Sequence, residues 1–94
     1  MLQQMKFEWD PQKAEANRRK HGVTFDEAVS VFLDSLAVSG PDPDHSVGEH
    51  RFITFGHSRL GRPIAVHHAH RPGIIRIFSA RRMTRGERKL YEEG

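Results

Sequence analysis

The sequence predicts an α+β fold in which helices pack on a small antiparallel sheet. Three observations carry that expectation. Two helix-start signals followed by helical spacing lie near the N-terminus, and a third lies near the C-terminus. Three alternating, β-branched stretches separated by tight turns fill the second half. The 94 residues, 36% hydrophobic and 29% charged, suit one domain over residues 1–94 with one modest core. The expected order is β-α-α-β-β-β(-β)-α.

Met1 to Met5 read as a flexible leader. Lys6 to Trp9 alternates, with Phe7 and Trp9 on one face, and reads as a short strand. Asp10 is an N-cap and Pro11 a first helical residue, so a helix runs to about His21 and stops at Gly22. Ala14, Asn17 and His21 share one helical face, with Ala16 and Lys20 on an adjacent one. Ala14 and Ala16 are small enough to let the helix sit close to a sheet. Thr24 to Glu27 forms a capping box. The helix behind it buries Phe25, Ala28, Val29 and Phe32 and ends by Asp34.

Leu36 to Ser39 reads as an edge strand. Residues 40–48, with two prolines and two glycines, read as irregular. Arg51 to His57 is the next strand, with Arg51, Ile53 and Phe55 on one side. Ser58 to Gly61 is a hairpin loop, and Arg62 to His70 returns with Ile64, Val66 and His68 on one face. Arg71-Pro72-Gly73 turns into Ile74 to Arg82. These three strands make an antiparallel meander. Thr84 to Glu87 is a second capping box. It opens a last helix with Glu87, Leu90 and Tyr91 on its inner side.

Composition narrows the function. Net charge is +3 with seven histidines, a balance that suits polyanions such as nucleic acid, or an acidic protein. The charge gathers in Lys13, Arg18, Arg19 and Lys20, and again in Arg81, Arg82, Arg85, Arg88 and Lys89. No apolar run approaches the ~20 residues of a membrane helix. No signal-peptide pattern opens the chain, and there are no cysteines, which fits a cytoplasmic protein.

The strand Ile74–Arg82, IIRIFSARR, carries the strongest functional signal. An apolar strand rarely holds three arginines. Strict alternation puts Arg76, Phe78, Ala80 and Arg82 on one face, and Ser79 and Arg81 on the other. Guanidinium forks match phosphates bidentately, so Arg76, Arg81 and Arg82 suggest a phosphodiester clamp. The structural alternative is that Arg76 pairs with a carboxylate and Arg81–Arg82 is a solvated strand end. Asp44-His45-Ser46-x-x-Glu49-x-Arg51 adds a His and a Glu near an arginine cluster, a set that can move a proton beside a held phosphate. Its alternative is turn capping, with Glu49 pairing Arg51 or Arg76. Lys20 and His21 also suit the helix dipole. His67, His68 and His70 raise a metal site, but no carboxylate accompanies them locally, which speaks against zinc. Arg85, Arg88 and Lys89 read as a solvated or backbone-binding helix face. Tyr91 reads as packing.

Taken together, FEWDPQKAEANRRKHGVTFDEAVSVFLD, DHSVGEHR and IIRIFSARRMTRGERKLYE resemble the BrnT family of type II toxins from about Phe7 to Glu92. The resemblance implies a RelE-like fold and a ribonuclease that needs no metal or other cofactor and stops translation by cutting mRNA. It also implies a BrnA-type antitoxin that carries the DNA-binding module for their operator. An antitoxin dimer would make a two-plus-two assembly natural. By the same resemblance, Lys20 and His21 match the basic pair ending the first helix. Glu49 and Arg51 match the acid and base opening the second main strand. Arg76, Ser79 and Arg81 match the strand motif, with Arg82 at an often basic position, and Glu87 and Tyr91 match the last helix. The histidines at 67, 68 and 70 depart from a strand usually β-branched and aromatic. The expected catalytic set is therefore Arg76, Arg81, Glu49, His21 and Arg51. Lys20, His45, Ser79, Arg82, Arg85 and Arg88 are expected to bind RNA. The competing class is a noncatalytic nucleic-acid-binding or regulatory partner, which needs the basic face but neither the His nor the Glu.

Overall fold

The computed structural model describes residues 5–43 and 50–93. Strand β1 (Lys6–Glu8) is followed by Asp10, whose side chain accepts from the Gln12 N–H at 2.8 Å and caps helix α1 (Pro11–His21). Gly22, at φ 70°, ends α1 in the left-handed region. Thr24 caps α2 (Phe25–Val31), accepting from the Glu27 N–H at 3.0 Å. Strands β2 (Val38–Pro41), β3 (Arg51–His57), β4 (Pro63–Arg71) and β5 (Ile74–Arg82) follow, then helix α3 (Arg85–Glu93). The element order is the expected one.

The five strands form one sheet in the order β1-β5-β4-β3-β2. β2 to β5 are antiparallel neighbours, but β1 joins β5 in parallel, with Phe7 beside Ile75 and Glu8 beside Arg76. Three alternating residues carry no signal of direction, so this parallel edge was outside the sequence expectation. β1 stops opposite Arg76. Beyond it the edge of β5 is closed by a side chain. The buried Asn17 amide of α1 accepts from the Ala80 N–H at 3.1 Å, donates to the Ala80 carbonyl at 2.8 Å, and donates to the Val23 carbonyl at 2.9 Å. One residue thus substitutes for a missing strand and ties α1 to the sheet.

Val23, Phe25, Ala28 and Val31 bury against Ile64, Val66, Ile75, Ile77 and Ala80. Phe7 meets Phe32 at 5.4 Å and Trp9 meets Phe25 edge-on at 5.7 Å. α2 lies so near β3 that a Cβ on Gly56 would stand 3.0 Å from Val31 Cγ1 and 3.1 Å from Ala37 Cβ. Glu27 does not complete the expected capping box with its side chain. That carboxylate is buried and takes the Arg62 guanidinium and the Ser58 hydroxyl, the latter at 2.7 Å. Arg62 also donates to the Gly22 carbonyl at 3.0 Å, so the β3–β4 hairpin is stapled to the turn between the helices. Arg62 holds the Glu27 pKa below its ordinary value.

Several details differ from the sequence reading. Met5 packs against the core rather than trailing as leader, and residues 1–4 lie outside the described residues. Ala16 and Leu90 are exposed, whereas Val31 is buried. The edge strand begins later and includes Gly40 and Pro41, inside the stretch expected to be irregular. An edge strand tolerates proline because one side of its backbone needs no partner. No helix among the described residues is long and apolar enough to cross a membrane.

His68 is buried on the helix side between Phe32 and Phe52, sharing a hydrogen bond with the Thr54 hydroxyl at 2.7 Å. Its Nδ1 makes no well-formed hydrogen bond among the described residues. Burial pushes its pKa down to about 4, against a weaker opposing pull from the Ala69 carbonyl.

Two stability predictions follow from these contacts. Asn17→Ala strands buried backbone groups at about 1–3 kcal/mol each, so urea unfolding should show a loss of roughly 3 kcal/mol or more. His68 is neutral when folded and takes a proton more readily when unfolded. Its contribution is therefore complete above pH 6.5 and is lost as pH falls toward about 4. Unfolding free energy should drop over that window by up to roughly 3 kcal/mol. In His68→Gln the slope should flatten.

Candidate active site

Pairing across β4 and β5 matches Ala65 with Arg81 and His67 with Ser79, then His68 with Ile77 and Ala69 with Arg76. Phe78 is the extra residue of a β-bulge at this point. Directly paired residues share a face. The bulge therefore resets the expected alternation and puts Arg76, Ser79 and Arg81 together, on the face turned away from α1 and α2. Arg82 falls on the opposite face, exposed. The same register brings Arg51, Ile53 and Phe55 of β3 and Glu8 of β1 to the Arg76 face.

Each cation on this face is held differently. Arg76 donates to Glu8 at 3.0 Å, and Arg71 stands 4.0 Å from that carboxylate. Arg81 grips Glu87 with two bonds, at 2.8 and 3.0 Å. Glu87 also accepts from the Thr84 N–H at 2.9 Å and gives its own N–H to the Thr84 hydroxyl at 3.1 Å, the complete capping box of α3. Arg81 above all, with burial opposing, holds the Glu87 pKa down at about 2. The Arg51 guanidinium stacks 4.0 Å over the Phe78 ring, and it makes no ion pair with a described residue.

His21 ends α1, half-buried. Burial lowers its pKa first, followed by the charges of Lys20, Arg81 and His67, so it is kept neutral beside this face. His67 donates from Nδ1 to Asp42 Oδ2 at 2.7 Å. The Asp42 side chain is 1% exposed and that of His67 16%. The carboxylate absent from the histidine strand locally is thus supplied from the turn after β2. His67 and His68 occupy opposite faces, and no three metal-ligating side chains gather among the described residues.

The remaining expected residues spread outward. Lys20 is exposed beside His21, and Arg85 is exposed at the start of α3. Arg88 pairs within its own helix with Glu92 at 3.0 Å. Tyr91 donates to Asp34 at 2.6 Å, which also accepts the His57 N–H at 2.8 Å, so Tyr91 docks α3 on the end of β3. His45 and Glu49 lie outside the described residues. The sequence reading missed Glu8, Asp42 and His67. Only His67 left a signal, as a polar residue between Ala65 and Ala69 off the apolar face.

Fold and face together define a class: a small α+β protein that fixes several cations and a neutral imidazole on one sheet face, chemistry suited to a phosphodiester. Comparison with known proteins narrows this. Residues 9–87 match the family described as "Ribonuclease toxin, BrnT, of type II toxin-antitoxin system", and the chain belongs to that family. The fold is similar to the 1.1 Å crystal structure of the Brucella abortus ribonuclease toxin BrnT, with TM-score 0.64 and 24% identity over 86% of this chain and 99% of that one. Comparison with curated protein sequences finds no match.

The Arg81–Glu87 pair makes its own prediction. Because the Glu87 pKa is depressed, the pair stabilises above pH 4.5 and fades as pH falls to about 2. Unfolding of Glu87→Gln should trail wild type by 1–3 kcal/mol, on the order expected for a charged hydrogen bond, at pH 6. That gap should close toward pH 2.

Proposed function

We propose that this protein is the toxin of a type II system and a metal-independent endoribonuclease that inhibits translation by cutting mRNA. The reading rests on one observation: Arg51, Arg76, Ser79 and Arg81 stand on a single sheet face with His21 at its rim. RNA carries its own nucleophile in the 2′-hydroxyl. The protein then has to hold the phosphate in line and neutralise charge growing on its oxygens. Arg76 and Arg81 are clamps pre-oriented by Glu8 and Glu87. Arg51, stacked and without a described carboxylate partner, presents its charge most directly. His21, kept neutral, can accept the 2′-hydroxyl proton, a role Glu49 could share, with His45 or Lys20 supporting the leaving oxygen. Ser79, Arg85 and Arg88 extend the RNA contact, whereas Arg82, expected to join them, points from the opposite face at the end of β5.

The neutralising partner is a BrnA-type antitoxin whose acidic segment covers the basic face. Electrostatic complementarity would speed that encounter. Operator DNA would be reached only through the antitoxin, in a two-plus-two assembly. A second reading draws on the Arg76–Glu8 and Arg81–Glu87 pairs: cations already matched to carboxylates suit a noncatalytic nucleic-acid-binding or regulatory partner.

Labelled RNA, free and on ribosomes, incubated in EDTA with antitoxin-free protein separates the two. Cleavage should leave 2′,3′-cyclic phosphate ends. Arg51→Ala, Arg76→Ala and Arg81→Ala should each lose about 10²–10³ in rate, the scale of an oxyanion-hole donor. RNA that is bound but intact in both settings would favour the regulatory partner.

A further inference from the structure

We propose that His67, held by Asp42, is a catalytic base of this site, taking the proton from the ribose 2′-hydroxyl of a bound RNA. The inference rests on the ribonuclease reading and assigns the 2′-hydroxyl proton to His67 rather than to His21 or Glu49, through a residue pair outside the motif by which the chain resembles its family.

The geometry is that of an oriented base. Asp42 is buried and accepts the Nδ1–H at 2.7 Å. In the neutral ring that bond leaves the lone pair on Nε2. Nε2 makes no hydrogen bond among the described residues, and the side chain keeps 16% of its surface exposed. Asp42 is itself fixed, since its N–H donates to the Arg51 carbonyl at 2.9 Å. Carboxylate, imidazole and Arg51 are therefore linked through one turn. Ser79 stands directly across from His67, with Arg81 two residues further along β5. The groups that meet His67 come from every side. Asp42 approaches from the turn after β2. His21, flanked by Lys20, lies within electrostatic range of His67, as does His68 on its own strand from the opposite face, and Arg81 shares the His67 face two residues along β5.

The step balances without a co-reactant. Nε2 takes the 2′-hydroxyl proton as the 2′ oxygen bonds to phosphorus. The bond from phosphorus to the 5′ oxygen breaks, and that oxygen leaves with a proton from Lys20 or from solvent. The products are a 2′,3′-cyclic phosphate and a 5′-hydroxyl. His67 would touch substrate, and Asp42 acts through it as a positioning residue.

The experiment compares wild type, His67→Gln, Asp42→Asn and Arg76→Ala on one labelled RNA, free and ribosome-bound, across pH. Glutamine can still donate to Asp42, so His67→Gln should bind RNA as wild type does. It should cleave about 10²–10⁴-fold more slowly, the usual scale of a lost general base, and lose the acid limb of the wild-type rate profile. Asp42→Asn should lower kcat at unchanged KM, and nitrogen-15 NMR should show the Nδ1–H tautomer depleted relative to wild type. If His67→Gln misfolds by circular dichroism, Asp42→Asn alone decides, and a full kcat with an altered tautomer overturns the proposal. Cleavage by folded His67→Gln within threefold of wild type, with Arg76→Ala inactive, overturns the base role and leaves the ribonuclease reading standing. RNA left intact by wild type in both settings overturns both.

Discussion

The structure depends on the Asn17 amide. A strand edge inside a fold must find partners for its backbone, and β1 supplies them only as far as Arg76. Past that point Asn17 presents one acceptor and one donor to Ala80, the pair a neighbouring strand would offer. Its second donor holds Val23, the first core residue after α1. A single amide thus fixes how close α1 lies to β5 and where the chain re-enters the core. It also sets the height at which His21, one turn further on, meets the far face. Glutamine would reach too far, and aspartate could not donate. This dependence of the site on a backbone edge explains why so short a first helix, with one buried residue, stays in place.

Much of this was legible in the sequence because it is local. The cap at Asp10, the glycine stop at Gly22, the Thr84–Glu87 box and the tight turns at Gly61 and Gly73 are short-range physics, and each reading held. What was not legible depends on partners far along the chain. A helix box at Thr24 was half right because Glu27 found Arg62, thirty-five residues away, a stronger partner than its own Thr24 N–H. The face of Arg76 could not be read from alternation, because Phe78 offers no local sign of a bulge. Its bulge follows from the pairing of β4 with β5. Asp42 looked like a turn former, and only the fold brings it to His67. The motif residues were legible as a set, but their common face was not.

Charge on the far face is arranged as matched pairs more than as a bare positive patch. Glu8 faces Arg76 and Glu87 faces Arg81, each within 3.0 Å. A guanidinium in such a pair is oriented and partly neutralised. Binding RNA there means exchanging a carboxylate for a phosphate, which limits nonspecific affinity and sharpens dependence on phosphate geometry. Arg51 differs. Its partner is an aromatic face, which orients the fork without neutralising it. On the proposed function, the first phosphate contact is therefore better sought at Arg51, whose charge no described carboxylate offsets.

Two histidines meet this face, His21 at its rim and His67 on the central strand, and their nearest partners differ. His21 sits among cations, and burial with Lys20 and Arg81 drives it toward the neutral ring. His67 has a buried carboxylate on one nitrogen. Catalytic sites that divide proton traffic between two groups do so by giving like residues unlike neighbours. Burial of Asp42 adds a second constraint. A carboxylate taken out of water needs partners, and Arg51's backbone places it where His67 can serve as one. Were the pair only a staple between a turn and a strand, an Asn–Thr pair would serve with no buried charge to stabilise. Keeping an ionisable pair at the centre of a face that already gathers Arg51, Ser79 and Arg81 is costly for packing and useful for moving a proton.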